Sequence, residues 1–149
     1  MRNFKKILFP VDLSDITPKI VPYVISTADK YNSEIHILFV LHRLDQFSRL
    51  SSYLAMPDLE KELAENAEKK MGEFVQQYFR GRPELITKIV KSDHPAEEIL
   101  RYIKSESIDL VVIGTHGRKG ISRVLVGSIA ERVFKISPVP VLSVNPFEE

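Results

Sequence analysis

The chain has 149 residues, of which 44% are hydrophobic and 28% charged, and its formal net charge is +1. This composition is typical of a folded globular protein, so it argues against a disordered chain, and the length predicts one domain over residues 1–149. The near-neutral charge gives no electrostatic reason to expect nucleic acid or a membrane as a partner, and the absence of cysteine excludes disulfides and thiolate metal sites. No apolar stretch has the length of a membrane span and no signal peptide is recognisable, so we expect a cytoplasmic protein.

Apolar runs and helical stripes alternate along the whole chain. A continuous apolar run predicts a strand buried on both faces at residues 7–11, and further strands are predicted at residues 34–41, 84–90, 109–113 and 139–144. Apolar residues at three- and four-residue spacing, with helix-start signals before them, predict helices at residues 17–31, 57–79, 128–136 and from Pro95 to Ile103.

Two of these helices have features that can be checked individually. In the first, Thr17-Pro18 is a plausible cap and first turn, but Pro22 lies one turn further in and removes a helix hydrogen bond, so we expect an irregular or bent start. In the second, one apolar stripe is expected to face the core; it consists of Leu59, Leu63, Ala67, Met71, Phe74 and Tyr78.

The strict alternation of strands and helices predicts a single doubly wound α/β domain with a parallel sheet covered on both faces. Ligands of such sheets bind at the carboxyl ends of the strands, where the strand order reverses. In the order 3-2-1-4-5, which we assume here, that point lies between the first and fourth strands. Pro10-Val11-Asp12 ends the first strand and Gly114 begins the loop after the fourth, so both are expected at one crevice.

A glycine-rich segment follows the fourth predicted strand. It reads Gly114-Thr115-His116-Gly117, and nine residues separate it from Gly127-Ser128, where a helix is predicted to begin. Free backbone N–H groups and the positive end of the helix dipole favour an anion there, and glycine lets phosphate oxygens approach the main chain. The segment therefore predicts a cradle for nucleotide phosphates.

The spacing of these glycines differs from that of the commonest nucleotide motifs. The chain has no G-x-x-x-x-G-K-[ST] and no G-x-G-x-x-G after the first strand, which argues against P-loop NTPases and standard dinucleotide folds. The segment instead resembles the nucleotide-binding signature of the universal stress protein family. The resemblance extends to Pro10-Val11-Asp12-Leu13-Ser14 and Pro138-Val139-Pro140-Val141, and so covers essentially the whole chain.

Members of that family with this glycine signature bind ATP, so the resemblance implies an adenine nucleotide (ATP, or ADP or AMP) with Mg²⁺ or Mn²⁺ carried by its phosphates. It implies that Gly114 and Gly117 pass close to the ribose and phosphates. It also implies that Gly127 and Ser128 hold the β and γ phosphates. Asp12 would contact the nucleoside or the divalent ion.

Backbone groups near Pro10 and Val40 would border the adenine ring. Arg118 and Lys119, between the glycines, are candidates for phosphate contact. The residues assigned to the nucleotide on this basis are Pro10, Val11, Asp12, Val40, Gly114, Thr115, His116, Gly117, Arg118, Lys119, Gly120, Gly127, Ser128, Ile129 and Ala130.

Simpler interpretations exist at several of these positions. Ser128 followed by Glu131 is also a capping box, which stabilises a helix without any ligand. Asp12 at a strand end is otherwise a turn former. We expect His116 to be a solvated loop residue and His94 a helix-start residue rather than a base. Residues 42–56 are either a lid or partner surface or an ordinary long connection.

The sequence contains no obvious nucleophile–base pair and no arginine finger, so we expect a nucleotide-dependent stress-response sensor or effector, with at most slow ATP hydrolysis. An adenylyl-transferring enzyme of the wider fold group is one alternative, but its glycine-serine-aspartate or His-x-Gly-His loops are absent. An interaction module without physiological use of ATP is the other.

The last predicted strand, from Val139 to Val144, is apolar on both faces and would lie at a sheet edge. An exposed edge of this kind favours pairing with another chain, and a twofold partner would cover it with the same strand. The resemblance also implies a homodimer through this strand. Pro140 removes one donor, so the pairing is expected to be short.

Overall fold

The computed structural model describes residues 2–42, 56–116 and 127–147. Predictions that fall on other residues lie outside this description. They concern Gly117, Arg118, Lys119, Gly120 and most of the segment 42–56.

The described residues form one parallel sheet. Its strands are β1 (Lys6–Val11), β2 (Glu34–Leu41), β3 (Leu85–Lys91), β4 (Leu110–Gly114) and β5 (Val141–Val144). They lie in the order β3-β2-β1-β4-β5, which confirms the predicted order 3-2-1-4-5. Ile7 of β1 lies between Ile35 of β2 and Leu110 of β4, so β1 occupies the centre of the sheet.

In the described parts of the chain, four α-helices cover the two faces of the sheet. They are α1 (Val21–Tyr31), α2 (Met56–Tyr78), α3 (Pro95–Ser105) and α4 (Ser128–Ile136). The helices α1 and α2 pack on one apolar cluster, to which β1 contributes Ile7 and Phe9. The helices α3 and α4 pack on a second cluster, to which β1 contributes Leu8. Because adjacent strand residues point to opposite faces, the continuous apolar runs fill both clusters, and the doubly wound α/β class is confirmed.

The start of α1 is irregular, as the sequence predicts, but the helix avoids the conflict that Pro22 would cause. A single 3₁₀ turn spans Thr17–Lys19, and the α-helix begins only at Val21. Pro22 therefore lies in the first turn, where its missing N–H is not needed. The prediction of one helix from residue 17 was wrong because the break moves proline to a tolerated position.

The third helix begins as expected, with His94 as its N-cap residue and Pro95 in the first turn. His94 makes no side-chain capping hydrogen bond. Its own N–H is bound by Ser92 Oγ at 3.1 Å, so Ser92 fixes the turn that leads into α3.

The prediction that the last strand begins at Val139 was wrong. Ser137 Oγ donates a hydrogen bond to the carbonyl oxygen of Val139 at 2.8 Å and lies 3.2 Å from the Val139 N–H, which folds this segment into a turn. The carbonyl oxygen of Pro140 accepts from Val111 N–H at 3.0 Å, and β5 begins at the next residue, Val141.

The apolar stripe of α2 is buried only in its second half. Ala67, Met71 and Phe74 are buried, whereas Leu59 is 41% exposed, so the expectation that Leu59 faces the core was wrong. A helix of this length extends about 34 Å, compared with about 26 Å for β2, the longest strand. Because α2 is longer than the strands, its first turns extend beyond the sheet, which explains the exposure of Leu59.

Within the described parts of the chain, no helix is both long enough and apolar enough to cross a membrane.

Candidate functional site

The candidate site lies at the carboxyl ends of β1 and β4. These strands are neighbours in the sheet, and the chain leaves them in opposite directions, towards β2 and towards β5. This is the topological switch point at which doubly wound sheets bind ligands. The structure thus brings together the two segments that the sequence assigned to one crevice, Asp12 after β1 and Thr115 after β4.

Asp12 braces the turn that leaves β1. Its Oδ1 accepts hydrogen bonds from the N–H of Ser14 at 3.0 Å and from the hydroxyl of the buried Thr17 at 2.8 Å. Leu13, between them, has a φ of 57°, which is rare for a residue with a side chain. The Oδ1 atom of Asp12 therefore stabilises the turn, in agreement with the interpretation of Asp12 as a turn former.

The described residues contain no cluster of three or more histidine, aspartate or glutamate side chains that could hold a metal ion.

Gly114, the last residue of β4, lies close to the start of α1. A Cβ atom at this position would lie 3.2 Å from Ile20 Cδ1 and 3.4 Å from the carbonyl oxygen of His116. Glycine is therefore favoured here by tight packing against Ile20, a reason that the sequence pattern did not reveal.

Thr115 connects the end of the sheet to the start of α4. Its N–H donates to the carbonyl oxygen of Val144 in β5 at 2.9 Å. Its carbonyl oxygen accepts the N–H of Gly127 at 2.6 Å. Two of the residues assigned to the nucleotide, Thr115 and Gly127, are thus joined directly although they lie 12 positions apart in sequence.

The first turn of α4 has no side-chain cap. Gly127 is the N-cap residue, with extended backbone angles (φ −62°, ψ 149°), and its carbonyl oxygen accepts the N–H of Glu131 at 2.9 Å. Ser128 is therefore the first helical residue, and the capping box predicted from Ser128 and Glu131 was wrong. The N–H groups of Ser128, Ile129 and Ala130 carry the positive end of the helix dipole without a capping oxygen from the N-cap side chain.

The one acidic residue in that first turn is held by a lysine one turn further along α4. Glu131 Oε1 lies 2.7 Å from Lys135 Nζ, and this hydrogen bond holds the pKa of Glu131 below its usual value. The ion pair offsets the negative charge that would otherwise weaken anion binding at the helix start.

His116 is buried, so the expectation of a solvated loop residue was wrong. The residue is 8% exposed, its Nδ1 lies 2.8 Å from Thr115 Oγ1, and its ring meets the Phe147 ring edge-on with centroids 4.9 Å apart. Within the described residues its Nε2 has no hydrogen-bond partner. Sequence analysis missed Phe147 altogether, because an aromatic residue near the end of the chain carries no periodic signal.

Pro10 and Val40, whose backbone groups were expected to border adenine, lie at the same end of the sheet, as does Val11. Pro10 and Val11 are the last residues of β1, and Val11 is in register with Phe39, the neighbour of Val40 in β2. Val11 is buried under α1 and α2, whereas Val40 is partly buried on the face covered by α3 and α4. The structure thus places Pro10, Val11 and Val40 at the carboxyl ends of β1 and β2, with Val11 and Val40 on opposite faces of the sheet.

With the fold described, the chain can be compared with known protein families. The profile of the Universal stress protein family matches residues 3–145, which is nearly the whole chain. The chain belongs to the universal stress protein family.

Individual relatives in this family agree in length and in fold. Universal stress protein MJ0531 of Methanocaldococcus jannaschii is 31% identical over 146 residues, covering 95% of this chain and 82% of the relative. The solved structure of MJ0577, a universal stress protein of the same organism, superimposes with a TM-score of 0.83 at 26% identity, covering 99% of this chain and all of the other. Universal stress protein UspA from Lactobacillus plantarum gives a TM-score of 0.72 at 26% identity over 97% of this chain and all of the other.

Proposed function

We propose that this universal stress protein binds ATP and acts in the cytoplasm as a nucleotide-dependent sensor or effector of stress, as one domain over residues 1–149. The observation that carries the proposal is the hydrogen bond from Gly127 N–H to the Thr115 carbonyl oxygen, at 2.6 Å. Through it, the start of α4, which has no capping hydrogen bond from its N-cap side chain, lies next to the carboxyl end of β4, where its N–H groups would meet a phosphate chain.

The residues at the start of α4 and the end of β1 suit a phosphate whose negative charge is partly neutralised by a bound cation. The helix start supplies backbone donors, and Lys135 offsets the charge of Glu131. Asp12, on the neighbouring strand end, is the residue that would face a divalent ion accompanying the phosphates. Such an ion, Mg²⁺ or Mn²⁺, would neutralise phosphate charge close to this carboxylate.

Solved structures of the same fold support an adenine nucleotide in particular. A universal stress protein in complex with cAMP has a TM-score of 0.61 at 19% identity, and one from Archaeoglobus fulgidus in complex with dAMP has a TM-score of 0.65 at 15% identity. At these identities the fold is the shared property, so the nucleotide comes to this chain only as part of the proposal.

A role in sensing, rather than rapid catalysis, suits the described part of the site. The side chains identified there are Asp12, Thr115 and His116, and Asp12 and Thr115 already take part in structural hydrogen bonds. A bound Mg²⁺ would supply Lewis-acid polarisation of the phosphates, which is sufficient for slow ATP hydrolysis.

Replacement of Gly127 by valine tests the proposal. The φ of Gly127 is negative, so valine fits the backbone without strain, while its side chain would crowd the helix start. In a thermal or urea melt, Mg-ATP at about one hundred times its dissociation constant should stabilise the wild-type protein by about 2.7 kcal/mol. Gly127→Val should show no such gain.

Gly72→Val is the matched control, because Gly72 lies in α2 and a Cβ there has no neighbour within 4 Å. This variant should keep the full stabilisation by Mg-ATP. If the wild-type protein gains nothing, or if Gly127→Val gains as much as Gly72→Val, ATP binding at this helix start is refuted. Parallel melts with ADP, AMP, GTP and cAMP would identify the preferred nucleotide.

We also propose a homodimer in which β5 pairs with the β5 of a second copy. Both β3 and β5 are edge strands, but β3 carries Lys88 and Lys91, whereas β5 has no charged residue. Lysine on an edge strand discourages pairing with another chain, so β5 is the edge better suited to it. An open groove beside β5, lined in part by Tyr31 and the 39% exposed Leu142, adds apolar surface there.

A further inference from the structure

We infer that Phe147, close to the end of the chain, is a positioning residue for the nucleotide site and acts by holding His116. The inference rests on the proposed function, because it concerns the affinity of the same site. It assigns a role to a residue that lies outside the glycine-rich motif.

The turn that follows β5 sets the position of Phe147. Its N–H donates a hydrogen bond to Asn145 Oδ1 at 3.0 Å, and Pro146, between them, is buried. Asparagine and proline both favour a tight turn here, the first through this hydrogen bond and the second through its fixed φ. The turn presents the Phe147 ring edge-on to the His116 ring, with an interplanar angle of 76°.

His116 needs such a partner to remain buried. Burial of an imidazole whose Nε2 has no hydrogen-bond partner among the described residues is unfavourable. Among the described residues, the contacts that offset this cost are the hydrogen bond between Nδ1 and Thr115 Oγ1 and the aromatic contact with Phe147. Loss of the Phe147 ring would remove one of these two contacts and expose the imidazole to water.

The position of His116 matters to the site through its neighbour in sequence. The carbonyl oxygen of Thr115 accepts a hydrogen bond from the Gly127 N–H. The same carbonyl group forms the peptide bond with the backbone nitrogen of His116. A shift of His116 therefore reorients the acceptor that holds Gly127 at the start of α4. Because Thr115 N–H is also bound to Val144, the turn after β5 and the helix start are linked through one residue.

Phe147→Ala tests this inference by two measurements on the full-length protein. In calorimetric titrations with Mg-ATP, well below the melting temperature, the variant should bind about three- to tenfold more weakly, the range expected for loss of one aromatic pair. In nucleotide-free protein, the amide of Gly127 should exchange its hydrogen faster, because its bond to Thr115 opens more often. Phe147→Tyr, which keeps the ring, should restore both properties.

Phe4→Ala is the matched control, because Phe4 makes a similar edge-on pair with Tyr31, with centroids 5.0 Å apart and an angle of 83°. Phe4 precedes β1, so it lies at the opposite end of the sheet from the site. The control should lower stability without changing either the Mg-ATP affinity or the Gly127 exchange rate. Equal effects of Phe4→Ala and Phe147→Ala, or no effect of Phe147→Ala, would overturn the inference.

A double-mutant cycle with His116→Leu locates the effect in the ring pair. Once His116 is replaced, Phe147→Ala should weaken binding little further; additive losses would contradict the inference. If the wild-type protein fails to bind Mg-ATP, the proposed function is refuted. In that case, the hydrogen-exchange rate of the Gly127 amide in Phe147→Ala, compared with wild type, decides whether Phe147 holds the start of α4.

Discussion

Gly114 shows how one residue can satisfy two requirements at once. The glycine spacing assigned it to the ribose and phosphates, where a side chain would block the main chain. In the structure its missing side chain also leaves room for Ile20, whose Cδ1 would lie 3.2 Å from a Cβ. The packing requirement alone is enough to favour glycine, so its presence is weaker support for a ligand than the motif suggests.

The double variant Gly114→Ala, Ile20→Val separates these two requirements. Gly114→Ala should cost about 1 kcal/mol of unfolding free energy, the lower range for overpacking, because the flexible end of Ile20 must shift. With Ile20→Val, which lacks Cδ1, the added cost of Gly114→Ala should largely vanish in urea denaturation. If the costs of the two substitutions simply add, Ile20 is not what restricts this position.

At the scale of elements, a buried polar network joins β2 to α3 at the end of the sheet opposite the site. His36 is fully buried, with Nε2 at 2.6 Å from Glu34 Oε1 and Nδ1 at 2.8 Å from the Tyr102 hydroxyl. The carboxylate can only accept, so Nε2 carries a proton, and in the neutral ring Nδ1 accepts from the Tyr102 hydroxyl. Burial, followed by the charges of Glu106 and Glu34, raises the pKa of Tyr102 to about 12.

Tyr102→Phe should reveal this network in the dependence of stability on pH. At neutral pH the variant should lose about 1–3 kcal/mol, because His36 Nδ1 is left without its partner. The pKa of Tyr102 rises on folding from 10.0 to about 12. The contribution of its protonated hydroxyl to the free energy of unfolding is therefore complete below pH 10 and is lost as the pH rises through 12. The difference in free energy of unfolding between wild type and Tyr102→Phe, measured in urea melts, should therefore decrease between pH 10 and pH 12.

The control for that measurement is Tyr23→Phe, because Tyr23 lies on α1 and is 48% exposed. It should leave stability at neutral pH almost unchanged. A gap that stays constant up to pH 12 for Tyr102→Phe would contradict the assignment of the raised pKa.

At the scale of the whole molecule, the two edge strands, β3 and β5, can be compared by the backbone N–H and C=O groups that each directs outward, where a second copy could pair. The carbonyl oxygens of Pro140 and Val144 face β4, so the alternate residues Val141 and Ser143 direct their N–H and C=O groups away from the sheet. At the other edge, the carbonyl oxygen of Glu84 faces β2, and by the same alternation Thr87 of β3 points outward.

Ser143→Pro should therefore convert the proposed dimer into a monomer in light scattering. Proline at 143 removes an outward donor that pairing with a second β5 needs, while the bonds between β5 and β4 remain. Thr87→Pro makes the same change at the β3 edge and should leave the dimer intact. A wild-type monomer at micromolar concentration, or dissociation caused by Thr87→Pro instead, would refute pairing through β5.

Most of the fold could be predicted from the sequence, because the signals are local. The apolar runs of β1 and β2 and the strict alternation with helices indicated a parallel doubly wound sheet, whereas the strand order was assumed and the structure confirmed it. The element boundaries were less accurate where a single side chain decided them, as Ser137 does before β5. The candidate site was predicted as a position in the sheet, from the strand ends at Asp12 and Gly114, and its residues remain a proposal.

By itself, then, the sequence determined the order of elements along the chain, and with the assumed strand order it predicted that Asp12 and Gly114 follow or end neighbouring strands. Tertiary structure alone decided that Phe147 covers His116, that Ile20 packs against Gly114, and that His36 binds Tyr102, a residue 66 positions away. The physical reason is that periodicity and turn chemistry act between neighbours along the chain. Burial and side-chain contacts depend instead on which distant segments the folded sheet brings together.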